Sequence, residues 1–325
     1  MRSKMMSCKR GLAKTGGTTW ILVTLACLLF TAAAFGQGKG KGGGGGGKES
    51  PPADPAIAVK QTGTVSKLMV MNDDGSNKTA VFTEVKFRVF PGLPSWSPGA
   101  DSIAFTRSIG SQHFELWRID VTVVDGVPQG SNLTKLFDDA VTHAWSPLGN
   151  EIAFAEGFTA NPPSSLFAIP AGGGTPGELY SAPEGHVVFW PAWSPDGTRL
   201  AFVELDAERA KSIRILDLAW GTVVTTGFAL GAEYDIDFLD WARTQDKLAF
   251  NVTRRDGSEP RVVFTLDITT GELVRVAEGR APTWSPDDTR LAYNDKHGNL
   301  VSVDLATGDI TKISKSAGRP DWRRF

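Results

Sequence analysis

Short apolar runs, separated by glycine, proline and polar residues, dominate the chain after residue 55. One unit, PAWSPDGTRLAF at 191–202, has an aromatic segment, a turn and an alternating apolar segment. Ser-Pro ends the first strand because proline cannot donate to a ladder, and Asp-Gly suits the turn because glycine accepts a positive φ. Leu200 and Phe202 lie on one face and the small Ala201 on the other, where a neighbouring sheet can approach. The pattern predicts a β-hairpin, and no long segment has a helical period.

The same pattern recurs along the chain. Full copies begin at Trp96, Trp145, Trp193, Trp241 and Trp284, and a half copy, PDWRRF, contains Trp322. The intervals of 49, 48, 48, 43 and 38 residues are typical of solenoids, propellers or arrays. Each unit has two further strand signals, such as 300–305 and 310–314, and four antiparallel strands per unit predict a propeller blade. The copy at Trp241 continues with ARTQ instead of SPDG, a departure that we expect to alter one turn.

The half copy at Trp322 lacks three strands, and segments with the missing patterns occur at the other end of the repeat region. They are 56–60, 67–75 and 79–84, which resemble the second, third and fourth strands of the other units. The sequence therefore predicts an all-β, six-bladed β-propeller over residues 55–325, with a last blade of one C-terminal and three N-terminal strands. An open β-solenoid is the alternative, but it would have atypical capping repeats in place of complementary half-blades.

The first 54 residues differ from the rest. Residues 1–19 carry five basic side chains and no acid, and residues 20–35 are apolar and end in small residues. This is the pattern of a secretory signal peptide over residues 1–36, with cleavage after Ala34 or after Gly36, so we predict that the protein is periplasmic or extracellular. An uncleaved leader would be the only membrane attachment, and its 16 apolar residues are few for a span of about 20. The Gly- and Pro-rich residues 37–54 predict a flexible linker.

Charge and cysteine content restrict the partners. Eight of the 34 basic residues but one of the 36 acidic residues lie in the first 50 positions, which leaves a net charge of −9 on the remainder. An acidic domain argues against nucleic acid as a partner, because nucleic acids are bound by cations that face phosphates. Cys8 and Cys27 both lie in the leader, so the predicted domain has neither a disulfide nor a cysteine metal site.

The W-S-P-D-G-x-x-L-A-F repeat, with following strands such as LMVMNDDGS at 68–76, resembles the repeats of TolB-type propellers. The resemblance covers residues 55–325 and implies an exported propeller that acts through protein contacts. TolB proteins carry an additional N-terminal domain, for which we expect no counterpart before Ala56, so the complete TolB role is not transferred. Propellers serve both binding and catalysis, and the repeat by itself indicates the fold only.

The residue before each repeat tryptophan is expected to border the central channel. Two of these six residues are acidic, Asp240 and Asp321, and they lie two blades apart. With Asp237 near one mouth and His143 two residues before Trp145, they are the candidate binding residues. The carboxylates would suit a basic group or a cation such as calcium; the alternative is that they are merely solvated.

Catalytic motifs are weak in this sequence. A Gly-x-Ser-x-Gly nucleophile elbow is absent, and the four histidines have no third ligand at matching positions. We therefore favour a monomeric protein- or peptide-binding or scaffolding module of the cell envelope, without a resident cofactor. The alternative is a propeller hydrolase or lyase that uses the channel carboxylates, with or without a metal ion.

Overall fold

The computed structural model describes residues 56–63, 65–85, 89–109, 113–156, 165–315 and 317–324. Every regular element within these ranges is a β-strand, and the strands form six four-stranded antiparallel sheets. The prediction of an all-β, six-bladed propeller is confirmed. No helix in the described ranges is long and apolar enough to cross a membrane. The predicted signal peptide and linker lie outside the described residues.

Five blades take four successive strands each from the centre of the ring outwards, and the sixth takes its innermost strand from the C-terminal end of the chain. The first blade contains β4 (Val89–Trp96), β5 (Ser102–Ile109), β6 (His113–Val124) and β7 (Val127–Asp138), and the second contains β8 (Ala140–Trp145), β9 (Glu151–Glu156), β10 (Ser165–Pro170) and β11 (Gly177–Ser181). The third contains β12 (Val187–Trp193), β13 (Arg199–Leu205), β14 (Lys211–Asp217) and β15 (Val223–Leu230), and the fourth contains β16 (Tyr234–Trp241), β17 (Lys247–Arg254), β18 (Val262–Asp267) and β19 (Leu273–Glu278). The fifth contains β20 (Arg280–Trp284), β21 (Arg290–Asn294), β22 (Leu300–Asp304) and β23 (Ile310–Ser314), and the sixth contains β24 (Gly318–Trp322) followed by β1 (Ile57–Gln61), β2 (Ser66–Met71) and β3 (Thr79–Glu84).

The sixth blade joins the two ends of the repeat region. β24 pairs antiparallel with β1, so that Ile57 lies opposite Trp322 and Ala58 opposite Asp321. The inner strands β4, β8, β12, β16, β20 and β24 contact one another in that order, and β24 also contacts β4. The ring is therefore closed, and the predicted division of one C-terminal and three N-terminal strands is confirmed.

The core consists of six apolar layers, one between each pair of neighbouring blades. In one layer, Trp193 and Phe202 of the third blade pack with Ala153 of the second. In the layer that closes the ring, Trp322 of the sixth blade packs with Ala292 of the fifth. The six repeat tryptophans are at most 2% exposed. The small alanine in the second strand thus lets the large indole of the next blade approach, as the sequence predicted.

In the third blade, the Ser-Pro-Asp-Gly segment builds the turn after the inner strand. The Asp196 carboxylate accepts hydrogen bonds from the Ser194 hydroxyl at 2.6 Å and the Thr198 amide at 3.0 Å. Gly197 has a φ of 71°, a conformation that favours glycine. The polar groups of the repeat are therefore occupied within the turn, and the motif specifies architecture.

The ARTQ departure in the fourth blade is tied to the fifth blade. Asp288 accepts hydrogen bonds from the Arg243 amide at 2.7 Å, from the Thr244 amide at 2.8 Å and from the Thr244 hydroxyl at 2.7 Å. Asp288 is buried and has a φ of 56° at the position that Gly197 holds in the third blade. The departure therefore reaches beyond its own turn, because it joins the turns of the fourth and fifth blades.

Replacing Asp288 with glycine is expected to lower the free energy of unfolding by about 2–4 kcal/mol. The change relieves a left-handed conformation, worth about 1 kcal/mol. It also removes the charged acceptor of three hydrogen bonds, each worth about 1.5–3 kcal/mol when made to a charged group, and leaves the amide of the buried Arg243 unpaired. Urea denaturation measures the difference. Asp125→Gly is the matched control, because Asp125 is exposed with a φ of 49°. A stability gain in both variants would contradict the prediction.

Candidate functional site

The inner strands are interrupted three residues before the repeat tryptophan. At this point the pairing register shifts and the backbone turns left-handed in five blades. The residues, with their φ angles, are Leu93 (50°), Trp190 (55°), Phe238 (58°), Ala281 (53°) and Arg319 (52°). For residues other than glycine this conformation costs about 1–2 kcal/mol each. Such strain persists only where the surrounding structure holds it.

Buried asparagines hold two of these bulges. The Ala281 amide donates to Asn251 Oδ1 at 2.9 Å, and the Arg319 amide donates to Asn294 Oδ1 at the same distance. Each asparagine lies on the second strand of the preceding blade and is 1% exposed. The path of the inner strand is therefore fixed by side chains of the neighbouring blade.

A central cavity of about 590 Å³, part of it open to solvent, lies between two sets of inner-strand residues. One set, which we name the bulge mouth, consists of Leu93, Trp190, Phe238, Ala281 and Arg319. The other, which we name the tryptophan end, consists of Ser95, Ala144, Ala192, Asp240, Thr283 and Asp321. Both sets line the cavity, together with Arg324. The expectation that the residues before the tryptophans border the channel agrees with this arrangement.

Asp240 is fully engaged at the tryptophan end. Its two carboxylate oxygens lie 2.9 Å and 3.1 Å from the Arg243 guanidinium. The carboxylate also accepts hydrogen bonds from the Thr283 hydroxyl at 3.0 Å and the Trp284 amide at 2.9 Å. The position beside Asp240 that would suit a calcium ion is therefore taken by a guanidinium.

Asp321 joins the sixth blade to the first. Its carboxylate accepts a hydrogen bond from the Trp96 amide at 2.7 Å. Burial raises the pKa of Asp321 to about 6, with the Arg243 charge opposing the shift and the Asp240 charge adding to it. Ser95 makes the corresponding bond to the Trp145 amide at 3.1 Å, so the position before the tryptophan links neighbouring inner strands.

Two arginines at the tryptophan end were not predicted from the sequence as site residues. Arg243 is buried and also donates to the Trp241 carbonyl at 2.8 Å. Arg324 lines the same cavity, and burial together with the Arg243 charge lowers its pKa to about 10. The signal was present as Asp-Trp-x-Arg, which occurs at 240–243 and again at 321–324. In both copies arginine replaces the proline of the repeat.

Substituting Asp321 with asparagine is expected to change the pH dependence of stability. An acid whose pKa rises on folding stabilises the folded protein while it is protonated, fully below its ordinary value of 3.8. That contribution is lost as the pH rises through about 6. Because asparagine stays neutral and can still accept from the Trp96 amide, stability of the variant relative to wild type should rise by about 2 kcal/mol between pH 4 and pH 7. Urea denaturation across this range tests it, and parallel curves would contradict it.

The other two candidate residues lie in different surroundings. Asp237 is on β16 beside the bulge mouth, where the Trp190 side chain donates a hydrogen bond to it; burial raises its pKa, and the nearby Asp235 adds to the shift. His143 is not among the residues that line the cavity, to which its neighbour Ala144 contributes. Burial lowers the pKa of His143 to about 4, so its ring is neutral at neutral pH. A hydrogen bond with the Ala104 backbone opposes this shift.

A polar cluster on the first blade was also not predicted. His113, Glu115 and Asp138 bring possible ligand atoms within 4.8 Å of one another. The Lys135 ammonium lies 2.9 Å from Asp138 and 3.5 Å from Glu115. Since Lys135 already supplies a positive charge to both carboxylates, the cluster is accounted for as an ion-pair network.

The two ends of the cavity differ in how far their polar groups are satisfied. At the bulge mouth, the Trp190 and Phe238 ring centroids are 4.3 Å apart, and the Arg319 guanidinium carbon lies 5.3 Å from the Phe238 centroid. Among the described residues, the Arg319 guanidinium donates no hydrogen bond, and the charge of Asp237 acts on it in the direction that raises its pKa. The bulge mouth thus presents aromatic and cationic surface to the cavity, whereas Asp240 and Arg243 satisfy each other.

No protein-family model and no curated protein matches the chain. Among solved structures, it is similar to TolB from Acinetobacter baumannii (TM-score 0.64, 18% identity, 83% of this chain and 67% of that one). It is also similar to a putative TolB from Agrobacterium tumefaciens (0.57, 15%, 82% and 92%) and to the periplasmic gluconolactonase PpgL from Pseudomonas aeruginosa (0.52, 12%, 82% and 97%). At these identities the likeness establishes the fold, and the TolB-type propeller fold predicted from the repeats is confirmed.

Proposed function

We propose that the protein is an exported binding module of the cell envelope that takes a partner protein or peptide at the bulge mouth. The observation that carries the proposal is the contrast between the two ends of the cavity. Trp190, Phe238 and Arg319 stand on strained bulges, and strain of this kind is concentrated at functional sites. Aromatic and arginine side chains also contribute most to binding energy at protein interfaces.

Export is the second part of the proposal. It rests on the basic and apolar pattern of residues 1–36, which is that of a secretory signal peptide. One of the similar structures is a periplasmic protein. A mature N-terminus near residue 37, measured by mass spectrometry of the protein from the envelope fraction, would support export with cleavage. An intact N-terminus in the membrane fraction would contradict cleavage.

Photo-crosslinking in cells of the source organism tests where a partner binds. A photoreactive residue replaces Glu184, which is exposed in the connection from β11 to β12 on the side of the bulge mouth. The matched position on the opposite side is Trp220, 81% exposed in the turn between β14 and β15. We expect a defined adduct from position 184 that disappears in the Phe238→Ala background. Adducts confined to position 220 would contradict the proposal.

A hydrolase or lyase is the second candidate function. It is favoured by Asp321, a half-buried cavity residue with a pKa raised to about 6, since perturbed carboxyl groups of this kind are suited to proton transfer. The Asp321→Asn variant separates the two functions. If this variant loses a hydrolytic or lyase activity that the wild-type protein has, while crosslinking at position 184 is unchanged, the result would support an enzyme and contradict a pure binding role.

A further inference from the structure

Arg319 at the bulge mouth has basic neighbours outside the mouth. Arg280 lies close enough to Arg319 for their charges to interact, and Arg261 lies close enough to Arg280. Burial lowers the pKa of Arg319, and the Arg280 charge lowers it further. The Arg319 charge likewise lowers the pKa of Lys60, and the Arg261 charge lowers the pKa of Arg280. Folding brings like charges together at this place, and an anion would relieve their repulsion.

The acidic groups nearby are mostly engaged elsewhere. Asp235 is paired with Lys211 and with Arg255 at 3.0 Å. Asp295 accepts hydrogen bonds from the amides of its own turn. Asp237 is the acid whose charge acts on Arg319 in the direction that raises its pKa, while burial raises the pKa of Asp237 itself. Asp235 and Asp295 therefore have partners of their own, and of these three acids Asp237 is the one whose charge acts on Arg319.

The structure fixes Arg319 where it can reach a ligand. Its backbone is held in the left-handed bulge by Asn294, which also donates to the Ala317 carbonyl. Its guanidinium lies against Phe238 of the fourth blade. Its Nη1 atom lies close to Gly92 of the first blade, 3.8 Å from the point that a Cβ atom would occupy on that glycine. The side chain thus extends across the mouth from the sixth blade, and its donors are available to the cavity.

Three features define the chemistry of a suitable ligand. A guanidinium binds a planar carboxylate through two parallel hydrogen bonds. The Trp190–Phe238 pair offers ring faces beside it, on which a flat or ring-shaped body can pack. The proximity of Asp237 penalises a dianion more than a monoanion. Resting on the proposed binding function, we infer that the bulge mouth binds a ring-bearing monocarboxylate, with the carboxylate on Arg319 and the ring against Trp190 and Phe238.

Calorimetric titration of the purified protein tests this inference with two acids and their neutral counterparts. Glucuronate is compared with glucose, and phenylacetate with phenylacetamide. We expect at least one acid to bind about tenfold more tightly than its neutral counterpart. Tighter binding of glucuronate identifies sugar acids as the class, and tighter binding of phenylacetate identifies aromatic acids. Binding of neither acid, equal binding of acid and neutral compound, or tighter binding of inorganic phosphate would overturn the inference.

Variants show whether Arg319 carries the recognition. Arg319→Gln is expected to weaken binding of the acid about tenfold or more. The affinity of Arg319→Lys should lie between those of Arg319→Gln and wild type, because lysine keeps the charge but cannot form the two parallel hydrogen bonds of a guanidinium. Arg275→Gln on the outer strand β19 removes the same charge from an exposed residue and should leave binding unchanged. Asn294→Ala, which keeps the guanidinium but frees the bulge, should weaken binding at unchanged ligand preference. Full binding by a folded Arg319→Gln protein would overturn the assignment.

The outcomes also separate this inference from the proposed function. If neither acid binds but the adduct at position 184 forms, the ligand class is wrong and the binding module stands. If an acid binds through Arg319 and no adduct forms, the mouth is a small-molecule site and the protein-partner proposal is wrong.

Discussion

The Trp322→Ala variant is expected to unfold with a free energy about 3–5 kcal/mol lower than wild type, the usual cost of removing a buried indole from a core. Trp322 is 1% exposed and packs between the fifth and sixth blades. It lies on β24, which alone joins the C-terminal segment to the three N-terminal strands of its blade. The substitution therefore empties an apolar layer at the seam that closes the ring. Urea denaturation followed by tryptophan fluorescence measures the loss.

Two further tryptophan variants make this prediction specific. Trp220→Ala is the matched control, because that side chain is 81% exposed and its removal should change stability by less than about 0.5 kcal/mol. Trp193→Ala occupies the same repeat position in the third blade, whose strands are continuous in the chain. If the seam is a full blade interface, the Trp322 and Trp193 variants should lose similar stability. A Trp322 variant that behaved like the Trp220 variant would mean that β24 is not a structural strand of the ring.

Replacing Arg243 with methionine is expected to lower the free energy of unfolding at pH 7 by about 3–5 kcal/mol, the usual cost of removing one partner of a buried ion pair. Arg243 is buried, bonds both oxygens of Asp240 and reaches the carbonyl groups of Trp284 and Trp322 in two other blades. Methionine fills much of the same space but leaves the Asp240 carboxylate without its counter-charge. The backbone bond from residue 243 to Asp288 is retained, so the effect reports on the side chain. Urea denaturation at pH 7 measures the loss.

The exposed Arg275→Met variant controls for the loss of one positive charge. Arg275 forms a surface pair with Glu278 at 3.6 Å, and its replacement should change stability by less than about 0.5 kcal/mol. Combining Arg243→Met with Asp240→Asn should cost less than the sum of the two single variants, because asparagine removes the uncompensated charge and still accepts from the Trp284 amide. Additive effects in this double-mutant cycle would show that Arg243 acts through packing and not through the ion pair.

The two ends of the central cavity have different roles, one in stability and the other in binding. At the tryptophan end, charges and hydrogen bonds cross from blade to blade and hold the inner strands at a fixed separation. At the bulge mouth, Trp190, Phe238 and Arg319 stand on positions of left-handed backbone, and the guanidinium of Arg319 is directed across the opening. Stability variants should therefore concentrate among Asp240, Arg243 and Asp321, and binding variants at the mouth.

The site was less accessible to sequence reasoning than the fold. Asp240 and Asp321 were recognised by their place before a tryptophan, and that place does border the cavity. Arg243 was missed because it lies in the ARTQ departure from the repeat, and Arg324 because it lies in the half copy, although both follow Asp-Trp at the same spacing. Arg319 and Phe238 carried no pattern that marks a bulge, since a left-handed residue other than glycine depends on partners such as Asn294, 25 residues earlier in the chain.

The sequence by itself determined the number of blades, the strand order and the closure of the ring. These follow from local chemistry repeated at a regular interval: an indole, a proline that ends a strand, an Asp-Gly turn and a small alanine for the next indole. Only the tertiary structure decided which polar groups neutralise one another and which are left for a ligand. That decision depends on distances between residues in different blades, such as Asp288 to Thr244 and Arg319 to Phe238, and a repeat pattern does not contain those distances.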